Sequence, residues 1–151
     1  MSALYLDSSA FVKLAVEEPD TVALRRYVAG SPGRRVSSAL LRTEALRAVR
    51  YLGAEALATI RESLRRIDLV GIDDRILESA GMLEPRVLRT LDAIHLATGL
   101  AARRRAPAWA EFQFGSADRR LNVAATAESF DVFNPSTPVP PGTSTPVTPS
   151  E

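Results

Sequence analysis

The sequence predicts an α/β protein built on a parallel sheet. Short apolar segments recur along the chain, each followed by one or two stretches of helical periodicity, and carboxylates stand where several of those segments end. Residues 3–6, ALYL, read as a buried strand that stops at Asp7. Ser8 or Ser9 then caps a helix to about Val16, which leaves Asp7 free of that duty. Pro19 and Asp20 open a second helix that ends at Gly30, and Ser31-Pro32-Gly33 is a turn. Residues 35–38 form a second strand, and Ser38 caps a helix with apolar positions at Leu41, Ala45 and Val49. Gly53 breaks that helix, and residues 54–66 form another. Residues 67–72 are the third strand. Asp73 caps a helix through Leu83, and Pro85 marks a loop. Thr90 caps a helix from Leu91 to about Arg105. Residues 109–114 are the fourth strand, 116–127 a short helix and 130–133 the last strand.

The order βααβααβααβαβ implies right-handed crossovers and a parallel sheet. Such sheets gather functional groups beyond the carboxyl ends of their strands. That rule alone brings Asp7, Glu44 and Asp118 to one end of the sheet, while Asp92 opens a helix beside Thr90.

Bulk properties narrow the function classes. A chain of 151 residues that is 46% hydrophobic favours one domain with a real core. No apolar run is long enough to span a bilayer, and the N-terminus makes a poor signal peptide. The absence of Cys excludes disulfides and thiolate metal sites, and a cytoplasmic protein is the simplest reading. A net charge of +1 rules out a globally basic nucleic-acid binder. The basic residues are nearly all Arg, clustered for example at Arg103-Arg104-Arg105 and Arg119-Arg120. These clusters suit phosphate contact, and they equally suit ordinary solvated helix faces. Residues 135–151, rich in Pro, Thr and Ser, carry six of the ten prolines and cannot bury enough surface to fold. The expected division is a folded domain at 1–134 and a disordered tail at 135–151.

Lone carboxylates are costly to bury, so Asp7, Glu44, Asp92 and Asp118, drawn from four distant segments, suggest a shared cation. All-oxygen donors favour Mg2+ or Mn2+, and one His without Cys makes zinc improbable. Each acid also has a plainer reading. Asp7, Asp92 and Asp118 lie at helix starts, where a carboxylate is stabilised by the dipole, and Glu44 could pair with Arg47 on the next turn. His95 reads as a packing or hydrogen-bonding residue. Ser116 could position phosphate or a water, and Ser9 beside Asp7 is a supporting candidate.

The stretches LYLDSSAFVKL, SSALLRTEALRA, LDAIHLATG and GSADRRL followed by FDVFNP together resemble a PIN-domain ribonuclease, specifically the VapC-type toxin of toxin–antitoxin pairs. The resemblance covers residues 1 to about 135. It implies a three-layer PIN-like fold with a five-stranded parallel sheet in the order 3-2-1-4-5. It implies a Mg2+- or Mn2+-dependent endoribonuclease with metal-binding acids at Asp7, Glu44, Asp92 and Asp118, and a supporting hydroxyl at Ser116. It further implies homodimers, RNA substrates such as transfer or ribosomal RNA, and a cognate VapB-type antitoxin. Two competing classes are a catalytically silent PIN-like module that binds RNA or protein, and a receiver-like or phosphatase domain that uses an acidic pocket.

Overall fold

The computed structural model describes residues 2–16, 25, 28–29, 33–84, 88–107 and 110–136. The elements run β1 (Ser2–Leu6), α1 (Ser8–Ala15), β2 (Arg34–Ser38), α2 (Leu40–Val49), α3 (Ala54–Leu64), β3 (Asp68–Val70), α4 (Asp74–Met82), α5 (Thr90–Arg105), β4 (Glu111–Gly115), α6 (Arg119–Ala127) and β5 (Asp131–Phe133). The sheet is parallel throughout, in the order β3-β2-β1-β4-β5, as the resemblance implies. The expected helix over 19–30, apart from Arg25, Val28 and Ala29, lies outside the described residues. So do the expected start of the fourth strand at Trp109 and the tail from residue 137 onward.

Strand β1 sits at the centre of the sheet and is covered on both faces. Leu4 and Leu6 point to one side, where Ala10, Phe11, Leu41, Val49 and Ile60 of α1, α2 and α3 pack. Tyr5 points to the other side, among Leu96, Leu100, Phe114, Leu121 and Phe130. Alternating Cβ directions along a strand make this division automatic, and the result is three layers. On the second side, α5 is buried on every side from Ala93 to Leu100, as expected of a helix that is apolar all round. It is wedged between the sheet, α4 and α6. Gly33 immediately precedes β2 with φ +134°, and a side chain there would collide with the Ser2 carbonyl.

Helix starts differ from the sequence expectation in four places; one is α6, which begins at Arg119 rather than at Ser116 because Asp118 caps it. Asp7 itself is the N-cap of α1, accepting from the Ala10 amide at 2.9 Å, so Ser8 and Ser9 do not replace it. Ser8 is already the first helical residue, and the Ser9 hydroxyl is turned to other partners. Arg89, not Thr90, precedes α5, and no side chain caps that helix. Ala39 occupies the cap position of α2, while the Ser38 hydroxyl still accepts from the Leu40 amide at 3.2 Å. Asp73 caps α4 as expected, accepting from Ile76 at 2.9 Å. The third strand is shorter than the run 67–72 suggests, because only Asp68–Val70 pair with β2.

Candidate active site

The carboxyl ends of β1 and β4 meet in register, Leu6 opposite Gly115, and the chain continues from each into a functional residue. The Asp7 amide donates to the Gly115 carbonyl at 3.0 Å, and the Ser116 amide donates to the Phe133 carbonyl at 3.0 Å. These backbone bonds place Asp7 and Ser116 side by side at the end of the sheet.

The Asp7 carboxylate is 3% exposed and accepts three hydrogen bonds. Its Oδ1 takes the Ser9 hydroxyl at 2.7 Å and the Ala10 amide at 2.9 Å, and its Oδ2 takes the Ser116 hydroxyl at 2.5 Å. Those donors favour the charged form, yet burial outweighs them and holds the Asp7 carboxyl above its ordinary value. Ser9 and Ser116 also tie the two loops together. Ser9 Oγ accepts from the Ala117 amide at 2.9 Å, and Ser116 Oγ accepts from the Asp118 amide at 3.0 Å.

Asp118 caps α6, its Oδ1 accepting from the Arg120 and Leu121 amides at 2.8 and 3.3 Å. One turn later, Asn122 donates through Nδ2 to the Ser116 carbonyl at 2.8 Å, which closes the loop between β4 and α6. Its Oδ1 is buried without a partner among the described residues.

Asp92, in the first turn of α5, is half-buried. Its carboxyl is raised from the ordinary value by burial first, then by the negative charges of Asp118 and Asp7, with His95 and Arg89 acting as counterweights. The negative charges of Asp118 and Asp7 thus act on Asp92 and disfavour its ionisation. Asp92 has no hydrogen-bond donor among the described residues.

Glu44 lies one turn into α2 and reaches this group through two contacts. Its Oε1 is 2.6 Å from His95 Nε2, and its Oε2 accepts from the Ser8 hydroxyl at 3.2 Å. The expected alternative, a pair with Arg47, does not form; His95 takes that place. His95 is 1% exposed and makes the hydrogen bonds the sequence suggests for it, its Nδ1 lying 2.8 Å from the Tyr5 hydroxyl.

All six sequence candidates thus lie in one connected region: Asp7, Ser9, Ser116, Asp118 and Asp92 around the strand ends, with Glu44 at the side. Tyr5, Ser8 and Asn122 were not legible as participants. Tyr5 reads as a core aromatic and Ser8 as a cap. The only signal for Asn122 is its spacing, one turn beyond Asp118 on the same helix.

Among the described residues, no three Asp, Glu or His side chains stand in the arrangement that encloses an ion. Asp7 and Asp118 spend oxygens on their own caps and hydroxyl partners. The donor chemistry nevertheless fits a hard divalent cation. The groups are carboxylates and hydroxyls without thiols, and burial and two like charges together outweigh the counterweights His95 and Arg89 at Asp92.

The model of the PIN domain family matches residues 4–127. Ribonuclease VapC46 of Mycobacterium tuberculosis strain H37Rv is 55% identical over 98 residues, covering 65% of this chain and 75% of the relative. Ribonuclease VapC35 of Mycobacterium tuberculosis strain CDC 1551 is 38% identical over 133 residues, covering 87% of this chain and 96% of the relative. In fold, the chain is similar to one from a toxin–antitoxin complex from Klebsiella pneumoniae, with a TM-score of 0.64 at 17% identity over 89% of this chain and 98% of the other. The chain belongs to the PIN-domain family, and within it to the VapC-type ribonucleases.

Proposed function

We propose that this chain is a Mg2+- or Mn2+-dependent endoribonuclease, the toxin of a toxin–antitoxin pair, that hydrolyses phosphodiester bonds in transfer or ribosomal RNA. The observation that carries the reading is that the charges of Asp118 and Asp7 both bear on the half-buried Asp92 at the carboxyl ends of the sheet. A cluster of like charges at the carboxyl ends of a parallel sheet repels a polyanion unless a cation lies between them. Asp7, Asp92 and Asp118 would hold that cation, with Glu44 at the side of the pocket. When bound, a divalent ion supplies Lewis acidity toward water and charge to offset the phosphoryl oxygens.

The protein's own groups do the positioning. Ser116 and Ser9 hold both Asp7 oxygens in one orientation, and the α6 cap fixes Asp118 beside them. Arg119 and Arg120 follow Asp118 directly, are exposed, and would contact the RNA backbone. The relatives' names and the structural likeness to a chain of a toxin–antitoxin complex support a VapB-type antitoxin as partner. A homodimer and a cytoplasmic location complete the reading; in the described residues, no helix is long and apolar enough to cross a membrane.

The deciding experiment is cleavage of total RNA by purified, antitoxin-free protein, with Mg2+ or Mn2+ against EDTA. Discrete fragments that require the metal and vanish in Asp7→Ala and Asp92→Asn are the expected result. Full activity in Asp92→Asn would sink the assignment. Binding of RNA without cleavage under either metal would make the chain a silent binding module.

A further inference from the structure

A buried hydrogen-bonded chain runs from the centre of the sheet to the side of the acidic pocket. It begins at the Tyr5 hydroxyl, passes through both nitrogens of His95 and ends on Glu44. Its members come from β1, α5 and α2, with Tyr5 and His95 90 positions apart in sequence and His95 and Glu44 51 positions apart. Such a chain is fixed by the tertiary fold rather than by local geometry. Tyr5 is 0% and His95 1% exposed, so solvent does not compete for either ring nitrogen.

The proton positions follow from the distances. A nitrogen 2.6 Å from a carboxylate oxygen needs a proton between them, since two lone pairs at that separation repel. The Nε2 atom therefore carries hydrogen. In a neutral ring, Nδ1 is then the acceptor, and the Tyr5 phenol donates to it. Burial raises the Tyr5 phenol well above its ordinary value, consistent with a hydroxyl that keeps its proton. Tyr5 is itself packed in the core, stacked on Phe114 with ring centroids 5.0 Å apart.

We propose that Tyr5 and His95 are positioning residues for Glu44: the phenol donates to Nδ1 and holds the imidazole in place, and the Nε2–H holds the Glu44 carboxylate at the side of the acidic pocket. The inference rests on reading Asp7, Asp92, Asp118 and Glu44 as a metal-binding active site. Hydrogen-bond partners behind a metal ligand typically change affinity by about 10–100-fold when removed. Glu44 is suited to such control. Its other anchor, the Ser8 hydroxyl at 3.2 Å, is the longer of the two contacts.

His95 is the only histidine in the chain, so a tag-free, 15N-labelled protein yields one set of imidazole nitrogen signals. Long-range 1H–15N correlation on the metal-free wild type is expected to show a proton on Nε2 and an acceptor Nδ1. A proton on Nδ1, in the other tautomer or in the imidazolium, overturns the proposal without need of any variant. The second arm titrates Mn2+ alone into the protein and reads its affinity. His95→Leu is expected to lose about tenfold or more, and His95→Gln, which keeps an N–H donor, to recover most of the loss. Tyr5→Phe should move the Nδ1 signal as its hydrogen bond is lost, while the protein still melts cooperatively. A cooperatively melting His95→Leu with wild-type Mn2+ affinity overturns the proposal. A wild type that binds no Mn2+ overturns the metal reading, and the ring nitrogens then decide the positioning role by themselves.

Discussion

The Ser116 hydroxyl donates to Asp7 Oδ2 at 2.5 Å, joining two side chains 109 residues apart at the adjoining ends of β1 and β4. Ser116 Oγ also accepts from the Asp118 amide, so one serine orients the first acid and shapes the loop that carries the last. Ser116→Ala should therefore reduce cleavage by about tenfold or more, on the scale of about 1.5–3 kcal/mol for a hydrogen bond to a charged group. Ser116→Thr retains the hydroxyl and should keep more activity than the alanine variant. Steady-state cleavage of a defined RNA, with melting curves for both variants, checks this. Equal activity in Ala and wild type would show that Ser9 and Ala10 suffice to hold Asp7.

The raised carboxyls of Asp7 and Asp92 make a prediction about stability in the absence of metal. A carboxyl whose folded pKa lies above its unfolded value binds protons more tightly in the folded state. Its charged form is a burden on folding at neutral pH, and that burden is relieved as pH falls through the raised folded pKa toward the ordinary 3.8. Asp92→Asn removes the burden at the start, and it also removes a negative charge facing Asp7. With EDTA present, the variant should melt above the wild type at neutral pH, and the gap should close as the solution is acidified. A variant that melts lower at neutral pH would mean that Asp92 is a structural residue.

Much of this was readable from sequence because it follows from the pattern of apolar residues. The apolar positions of α2 follow the 3.6-residue repeat, and ALYL and α5 stand out as largely apolar runs, one of strand length and one of helix length. Crossover handedness then carries Asp7, Glu44 and Asp118 to one end of the sheet. What sequence could not give was pairing between distant side chains. Glu44 has a charged neighbour one turn along its own helix, Arg47, and nothing local indicates that a histidine 51 residues away takes precedence. The cap of α1 differs from the sequence expectation for a related reason. Asp and Ser are nearly equivalent caps, and the choice fell to Asp7 because Ser9 is engaged with Asp7 and the Ala117 amide.

Close packing of α5 on the sheet supports the site from behind. A Cβ on Gly99 would lie 3.1 and 3.2 Å from two ring carbons of Phe114 and 3.5 Å from Phe130. Alanine at a helix-interior glycine normally gains about 0.5–1 kcal/mol. Here Phe114 is fully buried, stacked on Tyr5 and tilted against Phe130, so it has little room to give. Overpacking costs about 1–3 kcal/mol and should win. Gly99→Ala is expected to lower the denaturation midpoint in urea at unchanged m-value. A higher midpoint would show that the helix shifts outward freely.

Metal binding should reverse the electrostatics of the pocket, and it should do so in competition with protons. A cation that binds only the folded chain stabilises it by about 2.7 kcal/mol at a free concentration one hundred times its Kd. Mn2+ should therefore raise the melting temperature of the wild type. The rise should be much smaller in Asp92→Asn, which inverts the order of the two proteins seen with EDTA. Because burial raises Asp7, and burial together with the facing charges raises Asp92, protons compete for these oxygens above the usual carboxylate range. Mn2+ affinity, measured by calorimetry in buffers of decreasing pH, should begin to fall while ordinary surface carboxylates are still fully ionised. Binding should also release protons, detectable as a dependence of the measured heat on the ionisation enthalpy of the buffer. Affinity that stays flat down to the ordinary carboxylate range would place the ion away from Asp7 and Asp92.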